Sequence, residues 1–141
     1  MNPLQRKSQI TNKSMLQVVC GVIVNSVGEY LLCKRAEWKS QAGLWEFPGG
    51  KIEEGETAQQ ALVRELREEL GCDVTVGKAL SSVVHHYEEF AIELVPFFCY
   101  VIGGEPMTLE HQSIEWVRLE GLCDYVLAPA DEPIVEELRS I

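Results

Sequence analysis

Between Gly50 and Cys72 the chain reads GKIEEGETAQQALVRELREELGC, and Glu65, Glu68 and Glu69 fall on adjacent turns of one predicted helix. Hard divalent cations take oxygen ligands, and Mg²⁺ in particular is held by a few carboxylates together with substrate phosphates and water. Three carboxylates this close therefore point to metal-assisted phosphate chemistry. A charge-rich solvated helix, with Arg64 and Glu68 paired at i,i+4, is the competing explanation.

The element that must aim these groups carries its own signals. Thr57 serves as N-cap, Gln60 completes a capping box and Gly71 stops the helix. At roughly 100° per residue, Ala58, Ala61, Leu62, Leu66 and Leu70 share one apolar arc, with Gln60, Arg64 and Arg67 largely opposite. Glu65 and Glu69 project inside that arc, where an unpaired charge is costly to bury. Upstream, Trp45-Glu46-Phe47-Pro48-Gly49-Gly50-Lys51 ends a predicted strand in a turn whose glycines let backbone approach a ligand, and Gly55 allows a second turn.

Gly50, five residues, Glu56, seven residues, then Arg64-Glu65-Leu66-Arg67-Glu68-Glu69-Leu70-Gly71 resembles the Nudix box, G-x(5)-E-x(7)-R-E-U-x-E-E-x-G-U, where U is a bulky aliphatic. Only the last position departs; it carries Cys72, which behaves as a small apolar side chain when buried. The likeness runs from about Leu16 to Leu138. Gln41 to Phe47, Gly104-Glu105-Pro106 and Glu110-His111-Gln112 are similar to the MutT type, and Leu127-Ala128-Pro129-Ala130-Asp131 to CTP pyrophosphohydrolases.

The resemblance implies an α+β fold, the Nudix-type α/β/α sandwich around a mixed sheet. It implies metal binding by Glu65, Glu68, Glu69 and the Gly49 carbonyl, with Glu110 a further carboxylate that approaches the metal or acts as base. Glu56 and Arg64 match a supporting pair, and Lys51 would face phosphate. The implied cofactor is Mg²⁺, with Mn²⁺ an alternative. The implied reaction is attack at the β-phosphorus of a nucleoside triphosphate, giving monophosphate and pyrophosphate, with Glu69 or Glu110 taking the proton of water. Nucleotide-pool sanitation is the role expected of such an enzyme. A non-catalytic nucleotide-binding module on the same scaffold is the alternative of another class, but such relatives usually lose box glutamates that this chain keeps.

The base is a separate question, centred on Asp131. MutT enzymes that read 8-oxoguanine carry asparagine at the matching position, whereas the aspartate is shared with CTP-type relatives. A carboxylate only accepts, which suits the exocyclic amine of cytosine, although guanine also offers N–H donors. CTP, dCTP or an oxidised pyrimidine nucleotide is favoured, with 8-oxo-dGTP the alternative. Asp131 as a plain cap of the last helix is the structural option. Arg35 and Phe47 match other base-side positions of MutT relatives.

Composition agrees. The chain has 141 residues, 46% hydrophobic, and a formal charge of −10, which disfavours a nucleic-acid polymer partner. Residues 1–14 are expected to be a polar, mobile tail and 15–141 a single domain, monomeric or homodimeric. Five cysteines without paired spacing read as reduced core or near-core residues of a cytoplasmic protein. The apolar run from Met15 to Val24 is broken by Gln17 and lacks a small-residue cleavage site, so no leader is expected, and no run is long enough to span a membrane.

Strands are predicted at Leu16–Val24 and Tyr30–Lys34, joined as a hairpin, and at Val74–Val84, Phe90–Ile102 and Ile114–Arg118, with a final helix from Pro133 to about Arg139. His85 and His86 face opposite sides of a strand and cannot form one ligand pair. His111 accompanies Glu110, Trp38, Trp45 and Trp116 are assigned to packing, and Tyr87 is a thin hint of a dinucleoside polyphosphate site.

Overall fold

The computed structural model describes residues 14–141. The expected tail therefore lies outside the described residues except for Ser14, which opens the first strand.

Strand β1 (Ser14–Ile23) organises the domain. It pairs in parallel with β7 (Phe90–Gly103), Val19 opposite Val95, and antiparallel with the short β4 (Gly49–Lys51), Cys20 opposite Gly49. On its other edge β7 takes β6 (Val83–His86) along its first half and β5 (Asp73–Ala79) along its second, both antiparallel. A second, antiparallel sheet has the order β3 (Trp45–Glu46), β2 (Tyr30–Lys34), β8 (Ser113–Val117).

Side-chain alternation along β1 divides the core. Val19 and Ile23 pack toward helix α1 (Ala58–Leu70), together with Leu31, Leu62, Leu66 and Cys99. Cys20 and Val22 face the other way, toward Leu32, Phe47, Leu122 and the buried Ile134 and Leu138 of helix α2 (Glu132–Ser140). Successive strand residues point to opposite faces, so a strand covered on both sides must be apolar throughout, as this one is from Val19 to Ile23. The α+β sandwich around a mixed sheet is thus observed.

Two strand expectations are corrected. β1 and β2 do not form a hairpin: the chain pairs only at the isolated Val24–Tyr30 bridge, and the two strands belong to different sheets. The turn between them is real, with Asn25 Oδ1 accepting from the amides of Val27 at 3.2 Å and Glu29 at 2.8 Å. The single strand expected over Val74–Val84 is two strands. Their junction lies beside Pro96 of β7, which has no N–H for the ladder, and the Leu80 amide donates to its carbonyl at 2.9 Å.

Helix α1 follows its sequence signals. Thr57 and Gln60 form the reciprocal capping box, and Gly71 closes the helix in the left-handed conformation at φ 68°. All five cysteines are free thiols; four are buried, while Cys123 is exposed, contrary to the near-core assignment. Trp38 is likewise 78% exposed and packs little. Among the described residues no helix is long and apolar enough to cross a membrane.

Candidate active site

The buried face of α1 consists of Ala61, Leu62, Leu66, Leu70 and one acid, Glu69. Glu69 is only 5% exposed. Burial holds its carboxyl well above the usual carboxylate range, and contact with the Glu65 carboxyl and the charges of Glu46 and Glu110 push it further. Glu65 lies one turn earlier and is half-buried, whereas Glu68 stands on the solvent side with its carboxylate more than half exposed.

Arg64 ties these acids to the preceding loop. Its Nε and Nη2 donate to the two oxygens of Glu56 at 2.6 and 2.9 Å, a fork that suits a planar guanidinium. Nη1 donates to Glu65 at 3.0 Å and to Glu68 at 3.4 Å, and Nη2 reaches the Lys51 carbonyl at 3.2 Å. The Arg64 hydrogen bonds, reinforced by the Glu53 amide, lower the Glu56 carboxyl to about 2. The supporting pair expected from the box is present in full.

The turn before the helix is pinned from behind. The Gly21 amide donates to the Pro48 carbonyl at 2.8 Å, and a Cβ on Gly49 would lie 1.9 Å from the Val19 carbonyl oxygen, closer than atoms allow. Backbone here can pass only as glycine. Lys51 follows in β4 with its side chain exposed at the rim of a cleft.

That cleft has a volume of about 520 Å³ and is walled mostly by apolar side chains of β1 and β7, including Leu16, Val18, Ile92 and Leu94. Arg35, Phe47 and Asp131 line it together. Asp131 arrives because Val126 to Ala128 runs along β3: the Trp45 amide donates to Val126 at 2.9 Å and the Ala128 amide to Trp45 at 2.8 Å. Its side chain makes no capping bond to α2. Instead Oδ2 accepts the Phe47 amide at 2.7 Å. Burial, with Glu46 nearby, raises this carboxyl to about 8, against the lowering effect of the Phe47 amide and Arg35.

Sequence reasoning missed Glu46 and Gln41 and undervalued His111 and Tyr87. Glu46 accepts from Arg35 Nη1 at 2.8 Å with one oxygen and meets His111 Nε2 at 2.9 Å with the other. Glu46, Glu69 and His111 bring two oxygens and a nitrogen within 4.8 Å of one another. The available signal was an acid set in the otherwise apolar run Leu44-Trp45-Glu46-Phe47. Across the cleft mouth, Gln41 Nε2 donates to the Tyr87 hydroxyl at 3.1 Å, and Tyr87 stacks on Phe90 with ring centres 4.8 Å apart. His85 packs edge-on against the same tyrosine. Glu110 is exposed beside the buried His111, and its charge reaches Glu69.

Crowded, partly buried carboxylates with a bare glycine turn against them form an oxygen-rich donor set that fits a hard cation. Residues 19–137 match the model of the NUDIX domain. The chain belongs to the Nudix family. This Nudix hydrolase is 41% identical over 130 residues to the CTP pyrophosphohydrolase of Escherichia coli, covering 90% of this chain and 93% of that protein. It is 36% identical to the 8-oxo-dGTP diphosphatase of the same organism over 126 residues, 89% and 98% of the two chains. Among solved structures, the E. coli ORF135 protein superposes with a TM-score of 0.80 at 40% identity, over 92% of this chain and 91% of that one. The MutT protein of Methanosarcina mazei Go1 gives a TM-score of 0.81 at 28% identity, over 91% and 95%.

Proposed function

We propose that this Nudix hydrolase is a Mg²⁺-dependent nucleoside triphosphate pyrophosphohydrolase that converts CTP, dCTP or an oxidised pyrimidine nucleotide and water to the monophosphate and pyrophosphate. The observation that carries the choice of base is the Asp131 carboxyl, buried at one end of an apolar cleft and held by the Phe47 amide rather than spent on a helix cap. The identity to a CTP pyrophosphohydrolase supports the same choice.

Glu65, Glu68 and Glu69, with the Gly49 carbonyl, would hold the cation, which supplies charge neutralisation of the phosphates and a more acidic bound water. Arg64 keeps Glu65 and Glu68 aimed by gripping Glu56 behind them. Lys51 at the cleft rim faces phosphate, and Glu69 or Glu110 accepts the proton of the attacking water. Arg35 and Phe47 flank the base.

The raised Asp131 carboxyl refines the recognition. As a neutral acid it offers an O–H donor beside an acceptor, which matches N3 and the exocyclic amine of cytosine. Guanine's N1–H and N2–H donors would demand the ionised form, which burial disfavours. The same donor and acceptor pair also suits O6 and N7–H of 8-oxoguanine, so 8-oxo-dGTP is the second reading.

Pyrophosphate release from CTP, dCTP, 5-hydroxy-dCTP, dGTP and 8-oxo-dGTP with Mg²⁺, compared as kcat/KM, tests the proposal. Cytosine nucleotides are expected to lead and unmodified dGTP to trail. A clear preference for 8-oxo-dGTP overturns the cytosine assignment, and no turnover of any nucleotide favours a binding module.

A further inference from the structure

His111 has no role in the reaction as written, yet its imidazole is buried, with 6% of the side chain exposed. Its Nδ1 has no hydrogen-bond partner among the described residues. An unsatisfied buried polar atom costs free energy, and an apolar side chain could fill the space without that cost. Packing alone therefore does not account for an imidazole here.

The other ring nitrogen supplies the reason. Nε2 lies 2.9 Å from Glu46 Oε2 and 3.6 Å from Glu69 Oε1. Facing the Glu46 carboxylate oxygen, Nε2 is the nitrogen placed to donate. The second Glu46 oxygen is taken by Arg35 at 2.8 Å. Arg35 and Glu46 line the base cleft, and Glu69 belongs to the glutamate cluster of α1. Arg35, Glu46 and His111 are thus linked by hydrogen bonds, and His111 ends within charge contact of Glu69, so polar side chains run between the two ends of the site. The Phe47 amide, held by Asp131, is the next peptide after Glu46, so a shift at the base end reaches these side chains directly.

We propose that His111 is a positioning residue that couples occupation of the base cleft to the placement of Glu69, by way of Glu46. Base contact fixes Arg35 and Glu46, Glu46 fixes the imidazole, and the imidazole sets the orientation of the Glu69 carboxyl. The inference rests on the proposed assignment of the α1 glutamates as metal ligands. A group that only links two sites must obey reciprocity: nucleotide tightens metal binding by the factor by which metal tightens nucleotide binding.

The test uses CMP and 8-oxo-dGMP as product nucleotides, so that it does not depend on turnover. Calorimetry on the full chain measures Mn²⁺ and each nucleotide alone and in the presence of the other. The parent should show mutual tightening of at least about fivefold, while His111→Leu should still bind each ligand alone, whatever its affinity, and lose the mutual effect. His111→Gln retains an N–H donor and should recover most of it. Unchanged tightening in His111→Leu, or none in the parent, overturns the proposal. Loss of Mn²⁺ binding in His111→Leu without nucleotide would make the imidazole a ligand and also overturn it. Should the leucine variant fail to fold, ¹⁵N NMR of the histidines in the unmodified protein decides: the His111 ring signals should move with Mg²⁺ alone and with nucleotide alone, and a response to only one refutes the coupling. Failure of the activity screen with coupling intact would instead remove the proposed reaction and leave His111 in its role.

Discussion

The Glu65 carboxylate rests against the bare backbone of Gly50: a Cβ built on that glycine would stand 2.4 Å from the carboxyl carbon and 2.5 to 2.6 Å from its oxygens. The obstacle at Gly49 is different in kind, because there the blocking atom is the Val19 carbonyl at 1.9 Å. A side-chain tip can swing away, whereas paired backbone cannot. Gly50→Ala should therefore displace Glu65 and lower kcat by about 10–100-fold, with a melting temperature close to the parent. Gly49→Ala should lower the melting temperature by several degrees. Thermal melts beside steady-state kinetics separate the two, and equal loss of stability in both variants would contradict the geometry.

Arg64→Lys keeps the charge and loses the fork. A single ammonium cannot serve Glu56, Glu65, Glu68 and the Lys51 carbonyl together, so activity or metal affinity should fall about 10–100-fold. The acid limb carries a second signature. Glu56 is held at about 2 in the folded protein, so its contribution to stability is present above the ordinary carboxylate range and is lost as pH falls toward 2. The stability gap between parent and variant should therefore narrow between about pH 4.5 and pH 2. Denaturant midpoints across that range provide the check, and a constant gap would remove Arg64 as the cause of the shift.

Glu69→Gln should abolish most turnover while the fold persists. Without a cation, the folded state prefers the protonated carboxyl, so the penalty for Glu69 grows as pH rises above the ordinary carboxylate value. In chelator the glutamine variant should accordingly be more stable than the parent at pH 8, with the advantage shrinking toward pH 4. Mg²⁺ should raise the melting temperature of the parent more than that of the variant. Parental turnover in the variant would sink the assignment.

Asp131→Asn preserves an acceptor for the Phe47 amide and removes a titration. Because the folded carboxyl is raised to about 8, the parent should lose stability as pH climbs from the ordinary aspartate value to about 8. The slope is at most about 1.4 kcal/mol per pH unit for one proton, and the asparagine variant should lack it. Chemical denaturation at a series of pH values measures this directly. In the substrate screen the asparagine variant, which keeps a donor beside an acceptor, should retain the parental order of kcat/KM, whereas Asp131→Ala should lose it; parental discrimination in Asp131→Ala would show that Asp131 does not read the base.

Much of the hydrolytic end was legible because its logic is local. Capping, apolar spacing and the Glu56–Arg64 relation all lie within a few helical turns, and short-range rules govern them. Arg35, Phe47 and Asp131 could be grouped only through family likeness, since residues separated by 84 positions meet there through the addition of Val126–Ala128 to the short sheet. Glu46 and His111 carried no local signal of their partnership across 65 positions. The hairpin expected at Asn25 failed for a related reason: turn chemistry specifies a reversal of direction, but strand partners are chosen by the whole core.

The groups proposed for hydrolysis come, apart from Glu110, from one contiguous stretch, Gly49 to Glu69, whereas the side chains lining the cleft come from scattered positions on the loop before β3, the β6–β7 turn and the segment leading into α2. Mutation samples these two sets differently. Changes at Gln41 or Tyr87 leave the glutamates of α1 and their grip by Arg64 in place. On the proposed assignments, base preference shifts by single substitutions that spare the glutamate cluster.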